Sequence, residues 1–259
     1  MKKIRVKVRR SEEPSQASTG DVAEGLDVDW AMSTGKTEGA PGRAEKRPEK
    51  RPGPVGGKRD ENRRLRAAEL QDAALGLMLE RGLLVVTVDD ITSRAGVAKG
   101  SFYRYFDSKE HLIERLFAPL HDRLDVVLAA AEVEVGGALH EPELLAAYRQ
   151  LAARLQDAFI AHPREVLLYL QEARGPAQGD RRPVGLLEHR VSRAAIDLTR
   201  RAHEHGLLRA VDPLVSALAV VGAAERLLYE FLTRGTGAAP ADVAQALVTL
   251  IMDGLWKSK

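Results

Sequence analysis

The stretch Thr87-Val-Asp-Asp-Ile-Thr-Ser-Arg-Ala-Gly-Val-Ala-Lys-Gly-Ser-Phe-Tyr-Arg-Tyr-Phe-Asp-Ser-Lys109 decides the fold. It reads as two short helices joined by a tight turn, then the start of another. Thr87 is placed to cap the first helix, and Asp90 stands where a capping box puts its acid. Val88, Ile91 and Ala95 recur at helical spacing and form a narrow buried stripe. Gly96 is the residue that tolerates a positive φ and ends that helix. Val97 plugs the turn, and a second helix follows over about Ala98 to Tyr105. This layout, at about residues 87–106, is that of a helix-turn-helix, whose second helix enters the major groove of DNA.

Few side chains of so short a helix reach base edges. Lys99, Gly100 and Ser101 form its first turn and face the groove in standard docking. Lys99 can donate to guanine, and Ser101 can bond several base or phosphate atoms. Gly100, lacking a side chain, permits close backbone approach. Phe102 and Phe106, four apart, fill a small core. Thr87 is a candidate phosphate contact or a cap alone, and Arg94 a phosphate contact or a solvated charge. Asp89 and Asp90 suit a helix N-terminus but repel phosphate, which argues against an interface driven by charge alone.

The segment resembles the DNA-binding part of tetracycline-repressor-like (TetR family) transcriptional regulators. Ile91, Ala95-Gly96-Val97, the run Gly100-Ser101-Phe102-Tyr103-Arg104-Tyr105-Phe106, and Ser108-Lys109-Glu110 with Leu112 carry the likeness, over about residues 60–117. The resemblance implies a phosphate contact at Tyr103, a place at the DNA surface for Tyr105 and a backbone phosphate at Lys109. A helix N-terminus at Lys109 would add to such an anion site. It further implies an all-α fold: an N-terminal helix-turn-helix DNA-binding domain over 59–120, then a C-terminal helical ligand-binding and dimerisation domain over 121–259.

Composition agrees. Apolar residues make up 44% of the 259 and aromatics 5%, with Ala and Leu dominant, a helix-favouring mixture. There is no cysteine, so neither a disulfide framework nor a thiolate zinc site. No apolar run reaches membrane-spanning length, and the basic N-terminus lacks the apolar stretch of a secretory signal. The expectation is a soluble cytoplasmic protein with no membrane partner. Residues 1–58 are rich in Gly, Pro, Ser, Thr, Glu and Lys and read as a disordered extension; Met32 offers an alternative start. Within it, residues 11–40 hold seven acids and one base, and residues 41–66 hold ten bases and four acids. The basic segment is a phosphate-binding arm or a solvated linker.

The first folded helix is expected from about Asp60 to Arg81, ending at Gly82, with Leu65, Ala68, Leu75 and Leu79 inward. After the helix-turn-helix, a helix from Ser108 to about Glu134 carries Pro119 and breaks at Gly136-Gly137. Five more follow: about Pro142–Ala161, Pro163 to near Gly175, Val184–Gly206 after a loop at 175–183, Pro213–Thr233, and Pro240–Trp256. Leu84 to Thr87 is assigned to a loop.

By the resemblance, the last two helices of each subunit form a four-helix homodimer interface, with Leu214, Leu218, Val221, Gly222, Leu228, Leu247, Ile251 and Leu255 in it. The alternative is that they close the subunit core. The resemblance also implies a pocket for a small molecule of unknown identity, for which Tyr148, Phe159, Tyr169, His189, Arg193, Arg226 and Tyr229 are the candidates. Arg226 stands out as a charge on an apolar helix, which needs a partner if buried; Glu225 faces another way.

No enzyme motif is present. His203 and His205 are two apart, on different helix faces, so they make a poor metal site. Neither a metal nor a cofactor is expected. The reading is a homodimeric regulator on a double-stranded operator, a repressor released by its ligand. The alternatives are a ligand-independent or activating regulator of the same fold, and a helical adaptor with a vestigial DNA-binding head.

Overall fold

Helix α1 (Lys58–Arg81) carries Asp60 and Glu61 in its first turn and Arg81 in its last, the order the helix dipole favours. It ends at Gly82, which takes φ 89 and returns its N–H to the Met78 carbonyl at 2.9 Å. The computed structural model describes residues 57–209, 211–235 and 239–255, without the side chains of Pro240 and Leu255. The extension read at 1–58 thus falls almost wholly outside the described residues. The buried residues of α1 begin only at Leu70. Leu65 and Ala68, expected inward, are exposed, because the early turns of α1 stay at the surface.

Helices α2 (Val88–Arg94) and α3 (Lys99–Phe102) form the helix-turn-helix. Gly96 takes φ 65, and the Val97 amide reaches back to the Thr92 carbonyl at 3.0 Å, closing the turn. Regular helix ends at Phe102 rather than Tyr105. The amides of Arg104 and Tyr105 bond three residues back, to Ser101 and Phe102, so the chain winds tighter there. Ile91, Phe102 and Phe106 are buried, with Val88, Ala95 and Val97 packed against them.

Helix α4 (Lys109–Gly137) is capped by the Ser108 hydroxyl, which accepts from the His111 amide at 3.0 Å. It accommodates Pro119 and runs through Gly136-Gly137 instead of breaking there. Ala131, Val135 and Ala138 are buried at that end, and such packing outweighs the low helix propensity of glycine. At Gly136 a Cβ would stand 3.4 Å from the Arg201 guanidinium, so the glycine lets that side chain pass close.

Helices α5 (Glu141–Ala161) and α6 (Pro163–Glu172) follow, then a 3-10 turn at Gly179–Arg181 inside the expected loop. Helix α7 (Arg182–Glu204) starts earlier than expected, with Pro183 in its first turn where a missing N–H costs nothing. Asp212 caps α8 (Pro213–Arg234) by accepting from the amides of Leu214 and Val215, and α9 (Pro240–Leu255) closes the described chain. Trp256 lies outside the described residues. The described residues form no β-strand, and no helix among them is long and apolar enough to cross a membrane. One buried cluster runs from the α1–α4 head without a break into Val166, Leu168 and Tyr169 of α6 and Val184 and Leu187 of α7. A second joins α4, α5, α7 and Met252 of α9.

A buried polar junction ties the head to the segment before α7. The Lys109 ammonium, on a side chain only 11% exposed, donates to the carbonyls of Leu83 (3.1 Å) and Val86 (2.6 Å) and pairs with Asp180 at 2.8 Å. One oxygen of the buried Glu172 carboxylate accepts from the Leu83 amide at 2.9 Å, and the other pairs with Arg181. Lys109→Met keeps the aliphatic stem but strands Asp180 and two carbonyls. It should cost about 3 kcal/mol, the scale for breaking a buried pair from one side, or roughly 6–12 °C in thermal midpoint at this chain length. Lys99→Met, on an exposed lysine, should leave the midpoint near wild type; equal midpoints for the two variants would remove the junction from the stability of the fold.

Candidate nucleic-acid interface and ligand cavity

The first turn of α3 stands at the surface. Lys99 and Ser101 flank Gly100, and a Cβ built on Gly100 meets nothing within 4 Å. The Lys99 ammonium pairs with Asp89 at 2.9 Å, which raises its affinity for the proton. Ser101 accepts from Arg104 at 2.8 Å. Arg66, Val97, Ala98, Ser101, Arg104 and Tyr105 surround a cleft of about 250 Å³ beside this turn. Tyr103 is exposed, its ring edge-on to Phe102, while Tyr105 is half-buried against the core. Sequence reading passed over Arg66 and Arg104. The signal for Arg104 was its place three residues after Ser101, one helical turn on; nothing local marked Arg66.

Of three other candidate residues of the head, one departs from its expected placement. Lys109, expected at a backbone phosphate, has its ammonium turned inward onto Leu83, Val86 and Asp180. Thr87 forms a complete capping box: its hydroxyl accepts from the Asp90 amide at 3.2 Å and donates to the Asp90 carboxylate at 2.6 Å. These bonds hold the Asp90 carboxyl below the usual range. Arg94 is held across from α1 by both oxygens of Glu80, at 3.2 and 2.7 Å.

The helical body holds a cavity of about 680 Å³ that is partly open to the surface, within the range of small-molecule pockets. Helices α4 to α9 all contribute, almost entirely with Leu, Val, Ile, Phe and Ala side chains. Of the seven ligand candidates, Tyr148, Phe159 and Tyr169 line it. The others lie outside. His189 is exposed, Arg193 pairs with Asp197, and Arg226 pairs with Glu230 over the Tyr229 ring. Arg226 is therefore a surface arginine, 68% exposed. The charge that faces inward is its neighbour Glu225, because the register of α8 turns 225 toward α6 and 226 to solvent. Glu225 accepts from the Tyr169 hydroxyl at 2.5 Å and pairs with Arg174. Burial, together with the bond to Glu225, pushes the Tyr169 phenol above its ordinary range; burial pushes Tyr148 up to about 12.

The interface candidates divide as well. Val221, Leu228, Leu247 and Ile251 line the cavity. Leu214 and Leu218 are exposed on α8, Gly222 is half-buried with open space beside it, and the side chain of Leu255 lies outside the described residues. The face of α8 turned away from the cavity also carries Val215, and α9 presents Leu250, 73% exposed. Periodicity missed Val215 because α8 is apolar on nearly every face. The two histidines are far apart in role: Nδ1 of His203 meets the Thr199 carbonyl, that of His205 the Ala138 carbonyl.

The described residues thus combine a capped helix-turn-helix, with a bare glycine at its exposed tip, and a helical body around an apolar cavity. Residues 70–116 match the bacterial regulatory proteins of the tetR family. The repressor KstR2 of Mycobacterium tuberculosis is 33% identical over 115 residues, 42% of this chain and 51% of that protein. KstR2 of Rhodococcus jostii is 44% identical over 59 residues, 23% of this chain and 29% of that protein. The chain thus spans at most about half the length of these relatives. The solved structure of M. tuberculosis KstR2 aligns with TM-score 0.57 at 24% identity, over 74% of this chain and 96% of that one. The fatty acid degradation regulator FadR of Bacillus halodurans aligns with TM-score 0.55 at 17% identity, over 73% and 98%. The resemblance carried by Ile91 to Leu112 thus falls inside the matched segment, residues 70–116, and the body shares the fold of these neighbours.

The capping box yields a direct check on the head. Thr87→Ala should lower stability by about 1 kcal/mol, and Thr87→Ser should restore it, because either hydroxyl can cap. Denaturant midpoints decide; an alanine variant as stable as wild type would show that the cap does not hold α2.

Proposed function

We propose that the protein is a DNA-binding transcriptional regulator, a homodimeric repressor that releases its operator when a small molecule occupies the cavity. The observation that carries the reading is the exposed first turn of α3, with open space outside Gly100 and with Arg66, Arg104 and Tyr103 around it. A backbone without a side chain can approach base edges, while the flanking cations and hydroxyls meet phosphates. Lys99 would exchange Asp89 for a base, and Tyr103 and Tyr105 would lie at the DNA surface. The relatives matched over the head are transcriptional repressors, which favours this reading over an enzyme. Division of labour between a DNA-reading part over 59–120 and a ligand-binding, dimerising part over 121–259 belongs to the same proposal.

Two copies would pair through the outward faces of α8 and α9, with Leu214, Val215, Leu218, Gly222 and Leu250 at the contact. An apolar helix face of this kind calls for a partner. Release follows from how α6 is built. Its Val166, Tyr169 and Leu170 line the cavity, while Glu172, one turn after Tyr169, holds the Leu83 amide at the base of the head. A ligand that shifts α6 would move Leu83, and with it α2 and α3. It lowers operator affinity by the difference between its own affinities for the two arrangements.

Duplexes selected by the full chain from a random pool should converge on a near-palindrome; failure to enrich any sequence would favour the adaptor reading. On the selected duplex, Gly100→Ala should bind about tenfold more weakly or worse, the scale of one lost base contact. Its thermal midpoint should stay equal or rise, since alanine is the better helix former. Wild-type affinity in that variant would put the first turn of α3 outside the groove.

The assembly is checked separately. Leu218→Glu puts a charge on the outward face of α8, where a monomer leaves it in water. Sedimentation should show a folded monomer in place of a dimer, and a stable dimer would move the contact elsewhere.

A further inference from the structure

The polar groups of the cavity are few, and its formal charge is negative. Among the described residues that line it, Glu225 alone carries a formal charge, and none is a lysine, arginine or histidine. The remaining polar side chains are Tyr148, Gln156, Tyr169, Thr199 and Ser216. Most of their hydroxyl protons already have destinations. Tyr169 gives its hydroxyl proton to Glu225 at 2.5 Å. Thr199 gives its own to the Ala195 carbonyl at 2.8 Å. Ser216 turns back to the Pro213 carbonyl. Gln156 alone has N–H groups to offer. Gln156 apart, what faces the interior near the charge is therefore a set of lone pairs, those of the Tyr169 oxygen and the Glu225 carboxylate.

Charge points the same way. The Glu225 side chain is only 14% exposed, and its counter-ion Arg174 is 67% exposed, so the arginine caps the carboxylate from outside. An incoming anion would meet a carboxylate across an apolar space, with no cation on the wall to offset its lost hydration. An incoming ammonium or hydroxyl would meet an acceptor.

We propose that the cavity selects largely apolar molecules whose polar end is a hydrogen-bond donor, an amine or a hydroxyl docked at the Tyr169–Glu225 pair, and that it rejects carboxylates. This rests on the reading of the cavity as the ligand site. An ammonium would share Glu225 with Arg174 or replace it, and a hydroxyl would donate to the carboxylate or to the Tyr169 oxygen. The rest of the molecule would lie along Leu124, Leu151, Leu228 and Leu247, with chain length and branching set by the cavity volume of about 680 Å³. A shift of Tyr169 on docking is transmitted through the same helix to Glu172 and Leu83, so recognition and release share one element.

The test uses the full chain and three probes that differ only at the polar end: decylamine, 1-decanol and decanoate. Each competes at neutral pH with the uncharged dye Nile red, followed by its fluorescence. The amine and the alcohol should displace the dye at concentrations about tenfold or more below decanoate, the factor that one charge-assisted polar contact makes. Glu225→Gln should weaken the amine about tenfold, leave the alcohol within about threefold, and narrow the gap to decanoate. If that variant does not fold, the wild-type ranking still decides. Decanoate binding as tightly as decanol in the wild type would overturn the donor rule while leaving the cavity a ligand site. Failure of Nile red and all three probes to bind would overturn the ligand-site reading, and the donor rule with it.

Discussion

Everything about the head depends on how the loop from Leu83 to Val86 is held. Its carbonyls at both ends accept from one buried ammonium, and its first amide donates to one buried carboxylate. Backbone groups at the buried ends of a connection must find partners, and here they find charged ones, which are strong and directional. Lys109 starts α4, Glu172 ends α6, and Asp180 and Arg181 stand before α7. Three body elements therefore converge on four residues of loop, and the direction in which α2 and α3 leave that loop is set by the body.

The same geometry explains why the cavity is where it is. α8 buries one face against α6 and α7 and leaves the other apolar but uncovered. Val221, Ala224 and Leu228 look inward, Val215 and Leu218 outward. A helix apolar on both faces has two surfaces to satisfy, and a single chain supplies only one. The inward face does not close completely because the body helices meet there mostly through leucine and valine tips, leaving a space that a small molecule can fill.

Much of the head was legible because its signals are local. A cap at Thr87, a glycine at 96 and a three-residue stripe at 88, 91 and 95 fall within one short segment, and each acts on its nearest neighbours. What sequence could not supply was the partner at a distance. Lys109 meets carbonyls 26 and 23 residues upstream, which no spacing rule encodes, so its role as an internal staple was hidden behind its place at a helix N-terminus. On α1, Leu65 continues the heptad-like pattern but lies where no other element covers it. On α8, periodicity marked Val221 and Leu228 as buried without saying by what. It also put the inward-facing charge one residue off. Arg226 looks isolated among apolar neighbours, yet a long arginine reaches solvent and Glu230, whereas the shorter Glu225 stays on the inner face.

The placement of charge then bears on how a displacement in the cavity would reach the head. An apolar ligand touching only leucines would press on many side chains weakly, and each could adjust its rotamer to absorb the displacement. Tyr169 cannot adjust so freely. Its ring is packed in the buried cluster, and its hydroxyl is committed to Glu225 across the space between α6 and α8. A polar group that competes for Glu225 must alter that bond, and the tyrosine can answer only by moving with its helix. Glu172 lies three residues further along α6, on the same side of a rigid turn, and its carboxylate has no slack either, being bonded to Leu83 and Arg181 together. Two fully engaged polar side chains on one short helix thus form a stiff link between an apolar chamber and a backbone loop, which soft aliphatic packing by itself would not provide.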